Sequence, residues 1–181
     1  MPDSAYLAEG PRTAIRAIRR GDREEFTRLA RDSVELHHPW LELATTDEEF
    51  DAYVALFRQP DREGFLVCLR ETGEIAGFVN INAVIRARFQ NGSLGYGAFV
   101  PHAGRGYLTE GLELVVRHAF GPLRLHRLEA NIQPGNAASA ALVKRLGFRL
   151  EGHSPDYLFI NGAWRDHDRW ALTREMLHGP S

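Results

Sequence analysis

One cysteine and one lysine, Cys68 and Lys144, are all that 181 residues hold of those two types. A single cysteine makes no intrachain disulfide and offers a metal at most one thiolate, which excludes a disulfide scaffold and a cysteine-ligated zinc module. Cys68 sits in the apolar run GFLVCLR, which reads as a strand in which the thiol serves as a small buried hydrophobe. Arginine supplies nearly all the positive charge, a pattern that reads as coding bias rather than as phosphate binding. No run of 18 apolar residues occurs, so no membrane span is expected. The opening MPDSAYLAEGPRT lacks a basic start followed by an apolar stretch, which argues against a secretory signal and for the reducing cytoplasm. Positive charge in excess is missing too. With 22 basic and 24 acidic side chains the net charge is −2, so the phosphate-driven term of nucleic-acid binding is weak and no nucleic-acid partner is expected.

What is present is globular: 44% hydrophobic and 25% charged residues exclude disorder and low complexity. A chain of this length buries about 70% of its unfolded surface. With no repeat and no linker, residues 1–181 read as one domain.

Residues 13–18 read as a strand. Asp22 stands three before Glu25 with capping-box spacing, ahead of a helix that ends near His37, His38, Pro39 and Trp40. Thr46 and Glu49 repeat that spacing before a short helix with Phe50, Val54 and Phe57 on its apolar face. Residues 64–70, 75–85 and 93–100 read as a strand meander, with Asn91-Gly92 as a hairpin turn. Gly95 and Gly97 suggest a bulge or the close approach of another backbone. Tyr107 to Phe120 has helical spacing of Leu108, Leu112, Val115, Val116 and Ala119, and Gly121-Pro122 stops it. A strand over 126–132 follows, then a helix over 137–146 capped by Asn136 and closed by Gly147. The tail, 148–172, reads as strands joined at Asn161-Gly162. The order predicts an α+β fold with a mixed sheet rather than a doubly wound parallel one.

Phe99-Val100-Pro101-His102-Ala103-Gly104-Arg105-Gly106-Tyr107 runs from a strand through a glycine loop into a helix start. The first N–H groups of a helix lack internal partners and carry the positive end of its dipole, so such a loop suits a phosphate or pyrophosphate. A P-loop is excluded for want of its lysine, and a dinucleotide fingerprint because Thr109 occupies the third glycine position. The second signal is Asn131, then Asn136 and Ser139, then Leu146-Gly147-Phe148. His37 and His38 lack further ligands nearby, so no metal site is expected.

These motifs resemble the GNAT superfamily of acetyl-CoA-dependent N-acetyltransferases. His38-Pro39-Trp40, Gly106-Tyr107-Leu108-Thr109-Glu110, Arg127-Leu128-Glu129-Ala130-Asn131, Asp156-Tyr157-Leu158 and Trp164-Arg165-Asp166-His167 resemble its RimJ/RimL branch, which acetylates N-terminal amines of ribosomal proteins. The resemblance spans nearly the whole chain. It implies a mostly antiparallel sheet of about seven strands with splayed central strands, flanked by about four helices, and acetyl-CoA as co-substrate with no metal. It places the pyrophosphate on the amides of His102, Ala103, Gly104, Arg105, Gly106 and Tyr107. Pro101 departs from the family's Gln or Arg there. Pantetheine would lie between strands 93–100 and 126–132, near Asn131, Asn136 and Ser139. The acceptor would be a protein N-terminus, with an aminoglycoside or polyamine as the alternative and a noncatalytic CoA-binding module as a further one. A homodimer stays open.

The implied reaction needs a neutral amine, a donor for the oxyanion and a proton for the thiolate. An α-amine, with a pKa of about 7.7–8.0, costs about 1 kcal/mol to neutralise at pH 7, against about 4–5 for a lysine. The resemblance points to Asp156 as the base, with a plain hairpin carboxylate as the other reading. Glu110 is the rival, and it equally suits a helix N-terminus. The oxyanion donor is expected to be a backbone N–H near Phe99 or Val100, beside the strand bulge. The tyrosine that many members use as acid falls on Val143, and Ser139 would hydrogen-bond the sulfur instead. Trp40 and Tyr157 would line the acceptor groove.

Overall fold

The computed structural model describes residues 6–178; the first five residues of the stretch read against a secretory signal, and the last three of the expected domain, lie outside them. Among the described residues eight strands form one sheet in the order β1-β2-β3-β4-β5-β6-β8-β7. They are β1 (Ala8–Glu9), β2 (Thr13–Ala17), β3 (Glu63–Leu69), β4 (Ile75–Ile85), β5 (Asn91–Ala98), β6 (Arg127–Ile132), β7 (Arg149–Ile160) and β8 (Ala163–Thr173). The expected count was about seven; the eighth is the two-residue β1, too short to leave a periodic signal. The helices are α1 (Arg23–Asp32), α2 (Val34–His37), α3 (Asp47–Leu56), α4 (Tyr107–Phe120), α5 (Ala137–Arg145) and α6 (Arg174–His178). Four are the expected ones, and the one-turn α2 and α6 add to them. None is long and apolar enough to cross a membrane.

The predicted first helix divides because Ser33 leaves helical geometry, and its buried hydroxyl accepts the Val100 N–H at 3.0 Å. The Asp22–Glu25 capping box does not form. The Asp22 carboxylate instead accepts the Arg19 N–H and pairs with Arg16, and Glu25 accepts the Ile75 N–H across to the sheet. The Thr46–Glu49 box does form.

Asn91-Gly92 is strand, not turn. Asn91 pairs with Ile85 and Arg127 at once, and a Cβ on Gly92 would come within 2.5 Å of Ile81. The turn falls on 87–89, and the glycine serves packing. The Asn161-Gly162 turn stands as expected, with φ of 50° and 77°, joining β7 to β8.

Every neighbouring pair is antiparallel except β5 and β6. These two run parallel and pair only over Asn91–Leu94 with Arg127–Ala130. Beyond Leu94 and Ala130 they part, which opens a cleft in the middle of the sheet. One face of the sheet is covered by α4 and α5 around Leu112, Val115, Val116 and Val143, and the other by α1 and α3 around Phe26, Leu29 and Phe50. Gly111 allows α4 to lie against β3, since a Cβ there would fall 2.4 Å from both methyls of Val67. α4 thus starts at the mouth of the cleft and α5 flanks its other wall.

Candidate active site

The glycine loop forms the mouth. Gly104 and Gly106 adopt φ of 74° and 81°, which L side chains resist. Gly106 is the N-cap of α4, and no side chain caps that helix. Its first N–H groups are therefore available to a ligand. Pro101 lies in a 3-10 turn over Val100–His102 that occupies two of the expected amides, with His102 N–H on the Phe99 carbonyl at 3.0 Å and Ala103 N–H on the Val100 carbonyl at 3.4 Å, so the amides left to a ligand are those from Gly104 onward. Arg12 braces the loop from behind. Its guanidinium donates to the Arg105 carbonyl at 3.0 Å and lies 4.8 Å from the centre of the Tyr107 ring. Beside the loop is a cavity of about 270 Å³ lined by His102, Gly104, Gly106, Tyr107 and Arg145 among others. His102 Nδ1 is buried there without a partner. A cationic rim, uncapped amides and an orphaned polar nitrogen fit the pyrophosphate of a CoA thioester.

Ala98, Gly104, Leu108, Ala138 and Leu142 line both this cavity and a second of about 220 Å³ in the cleft between β5 and α5. Trp40, Leu41, Tyr96, Asn136 and Ser139 in turn line both the second and a third chamber of about 410 Å³. The three form one passage from the helix N-terminus, through the parted strands, to the far side of the sheet.

Asn136 caps α5 by accepting the Ser139 N–H at 3.2 Å. That bond turns the Ser139 hydroxyl into the passage, where it meets the Tyr96 hydroxyl at 2.7 Å. Burial pushes the Tyr96 phenol up to about 12, with the Ser139 bond pulling the other way. The phenol therefore stays protonated at neutral pH. Sequence reading missed Tyr96. The only available signal was its place between Gly95 and Gly97, and those glycines do not bulge: the β4–β5 register is continuous through them and shifts at Asn82/Ile85 instead.

The Phe99 and Val100 amides themselves are taken within the chain. Phe99 N–H bonds the Ala76 carbonyl, and Val100 N–H bonds Ser33 Oγ. Strand alternation then turns the N–H groups of Tyr96 and Ala98 away from β4, toward the cleft. The Ala98 carbonyl on that side is taken by His37 Nε2 at 2.7 Å. His37 is thus buried and hydrogen-bonded rather than a surface residue, and burial lowers its pKa despite that bond.

Glu110 turns away from the passage. Its carboxylate accepts the N–H of Arg12 at 2.7 Å, the N–H of Thr13 at 2.8 Å, the Thr13 hydroxyl at 2.9 Å and Arg12 Nε at 3.1 Å. Burial pushes its pKa up, but these donors outweigh it and the net shift is downward. It ties α4 to β2. Asp156 is exposed in a bulge of β7, at φ of 46°, where its N–H bonds Asp166. It is not among the residues lining the chamber. Tyr157 is also exposed, and its ring rests 6.1 Å from that of His167.

Trp40 does line the chamber. The loop that carries it is pinned to the far wall by Asn161, which donates to the Pro39 carbonyl at 2.8 Å. Asn131 and His167 complete that wall. Asn131 Nδ2 donates to Ser93 Oγ at 3.3 Å, which leaves its Oδ1 buried and unpartnered. Among the described residues no aspartate or glutamate lines the chamber. Among the described residues no group of three or more His, Cys, Asp or Glu side chains is placed to hold a metal.

Residues 12–149 match the acetyltransferase (GNAT) domain family. Over 100 residues the chain is 41% identical to ribosomal protein uS5-alanine N-acetyltransferase of Escherichia coli, a stretch covering 55% of this chain and 52% of that protein. The chain therefore spans about half the length of this relative. Mycobacterium smegmatis RimJ in complex with CoA-disulfide superposes with a TM-score of 0.85 at 27% identity, over 92% of this chain and 84% of that one. The ribosomal-protein-S5-alanine acetyltransferase of Vibrio fischeri superposes with a TM-score of 0.81 at 26% identity, over 93% and 96%.

Proposed function

This chain belongs to the GNAT acetyltransferase family, and from that premise we propose that it transfers an acetyl group from acetyl-CoA to the N-terminal α-amine of a protein. The observation that carries the reading is the passage itself. It opens on uncapped helix amides at one end and ends at the other in a chamber that, among the described residues, no carboxylate lines. Bound acetyl-CoA supplies the activated acetyl thioester. The chain's part is to hold that group and move protons.

The amides of residues 104–107 and the dipole of α4 hold the pyrophosphate, and Arg12 keeps the loop in place. The parted edges of β5 and β6, with Asn136 ordering the start of α5, hold the pantetheine arm. The inward N–H groups of Tyr96 and Ala98 stand where a carbonyl oxygen in the cleft gains negative charge. The Tyr96 hydroxyl, linked to Ser139, supplies the donor for the departing sulfur. Tyr96 takes the acid role that the family places at Val143, from β5 rather than from α5.

Chamber chemistry supports an α-amine over a polycation. A polyamine or aminoglycoside carries several positive charges, and a site for it gains from carboxylates; the described residues give this chamber's wall none. Neutralising an α-amine costs about 1 kcal/mol at pH 7, within reach of a site without a strong base. The names of the relatives, acetyltransferases of ribosomal protein, agree with a protein N-terminus of the ribosomal type, and the cytoplasm is where such a substrate is met. The test is thiol release from acetyl-CoA with peptides bearing free or blocked N-termini. Turnover that needs the free α-amine supports the reading. CoA binding without transfer to any amine leaves a binding module instead.

A further inference from the structure

His167 stands in the wall of the acceptor chamber with one ring nitrogen committed and the other free. It lies on β8 and is 3% exposed, yet it lines the chamber. Its Nδ1 is 2.8 Å from the Arg165 carbonyl oxygen. A carbonyl oxygen only accepts, so Nδ1 carries a proton, and in the neutral ring the lone pair is on Nε2. Among the described residues nothing hydrogen-bonds Nε2, and the Tyr157 ring packs against the imidazole. The ring is held in one tautomer and one orientation with a basic nitrogen to spare.

Asn131 adds an independent observation. Its Nδ2 is spent on Ser93, so the buried, unpartnered atom it leaves in the same chamber is an oxygen, a pure acceptor. Two acceptors and no carboxylate describe a site for a group rich in N–H donors with a proton to lose.

We propose that His167 Nε2 is the general base for the incoming amine and that Asn131 Oδ1 orients that amine by accepting a second of its N–H bonds. This rests on the acetyl-transfer reading above and moves the base role from Asp156 to His167. The step is a proton transfer. An ammonium N–H bond breaks, an Nε2–H bond forms, and the electron pair left on nitrogen becomes the nucleophile's lone pair. The imidazolium returns the proton to solvent before the next turnover. Asn131 is thereby an acceptor-site residue rather than a pantetheine ligand.

The test begins without cofactor. Nitrogen-15 NMR of histidine-labelled protein, with the His167 signal assigned by its loss in His167→Asn, reads the tautomer directly. The Nδ1-protonated form is expected, and an Nε2-protonated form overturns the proposal. The same variant then separates base from scaffold, because an asparagine amide can still donate to the Arg165 carbonyl but has no basic nitrogen. Its kcat is expected to fall about 10²–10⁴-fold, with the Kd for CoA and the Tm unchanged. In His167→Ala, added imidazole is expected to restore turnover. Turnover of His167→Asn within threefold of wild type refutes the assignment while the acetyl-transfer reading stands. A wild type that acetylates no amine refutes that reading itself, and the base assignment with it.

Discussion

Glu110 separates a brace from a base by a single substitution. Thr13 is fully buried, and both its N–H and its hydroxyl end on the Glu110 carboxylate. Hydrogen bonds to a charged group contribute about 1.5–3 kcal/mol each, less than additively when they share an acceptor. The Arg12 side chain is half exposed and recovers water when released, so its ion pair adds little. Glu110→Ala strands the two Thr13 donors and should cost about 3 kcal/mol. At about 2–4 °C per kcal/mol for a chain of this size, Tm falls by about 6–12 °C. Glu110→Gln keeps one oxygen for the Thr13 donors and should cost about 1 kcal/mol. The pH dependence follows from the lowered pKa. The carboxylate's contribution is full above the ordinary glutamate value and is lost as pH falls through the lower folded value, so wild type and Glu110→Gln converge in acid. In the turnover assay kcat stays within about twofold of wild type. The KM for acetyl-CoA rises in Glu110→Ala, because Arg12 no longer holds the loop at Arg105. Scanning calorimetry with steady-state kinetics reads both. An unshifted Tm together with a kcat loss of about 10²-fold or more in Glu110→Gln would return the residue to the catalytic role and refute the brace.

Further outcomes follow from the same geometry. Tyr96→Phe removes the phenolic proton beside Ser139 and should lower kcat about 10²-fold with acetyl-CoA affinity retained, which single-turnover kinetics and calorimetry together can read. Ser139→Ala removes one hydrogen bond from that pair and should cost about fivefold in turnover; an unaffected rate would remove Ser139 from the mechanism. Glu151 is held at a pKa of about 2 by hydrogen bonds from Arg127 and then Arg149. Its stabilising contribution is present above the ordinary glutamate value and lost as pH falls toward 2. Urea unfolding should therefore show Glu151→Gln weaker than wild type by about 1–2 kcal/mol at pH 7, with the gap closing in acid.

The parts of the fold readable from sequence are those whose signals are local. α4 begins and ends at the residues expected because a glycine loop, a helical spacing of aliphatics and Gly121 lie within one stretch. Asn136 and Gly147 bracket α5 for the same reason. Errors arose where a local motif was outvoted by a distant partner. Asn91-Gly92 looks like a turn until Ile81 and Arg127 arrive against it. Asp22 looks like a cap until Arg16 takes its carboxylate. The site followed the same rule. Its glycine loop and the Asn136–Ser139 turn were legible, while Tyr96 and His167, 71 positions apart in sequence, meet in one passage only through sheet order. Asp156 and Glu110 suit the base role by chemical type and nearby motif, but local sequence does not encode which way a side chain turns.

The most direct test of the central claim is free-thiol release from acetyl-CoA, with mass spectrometry of the acceptor, for peptides beginning with Ala or Ser beside spermidine and an aminoglycoside. The passage predicts acetylation at the α-nitrogen of the peptides, abolished by blocking that nitrogen. Turnover confined to the polycations, or none at all while CoA binds, would contradict it.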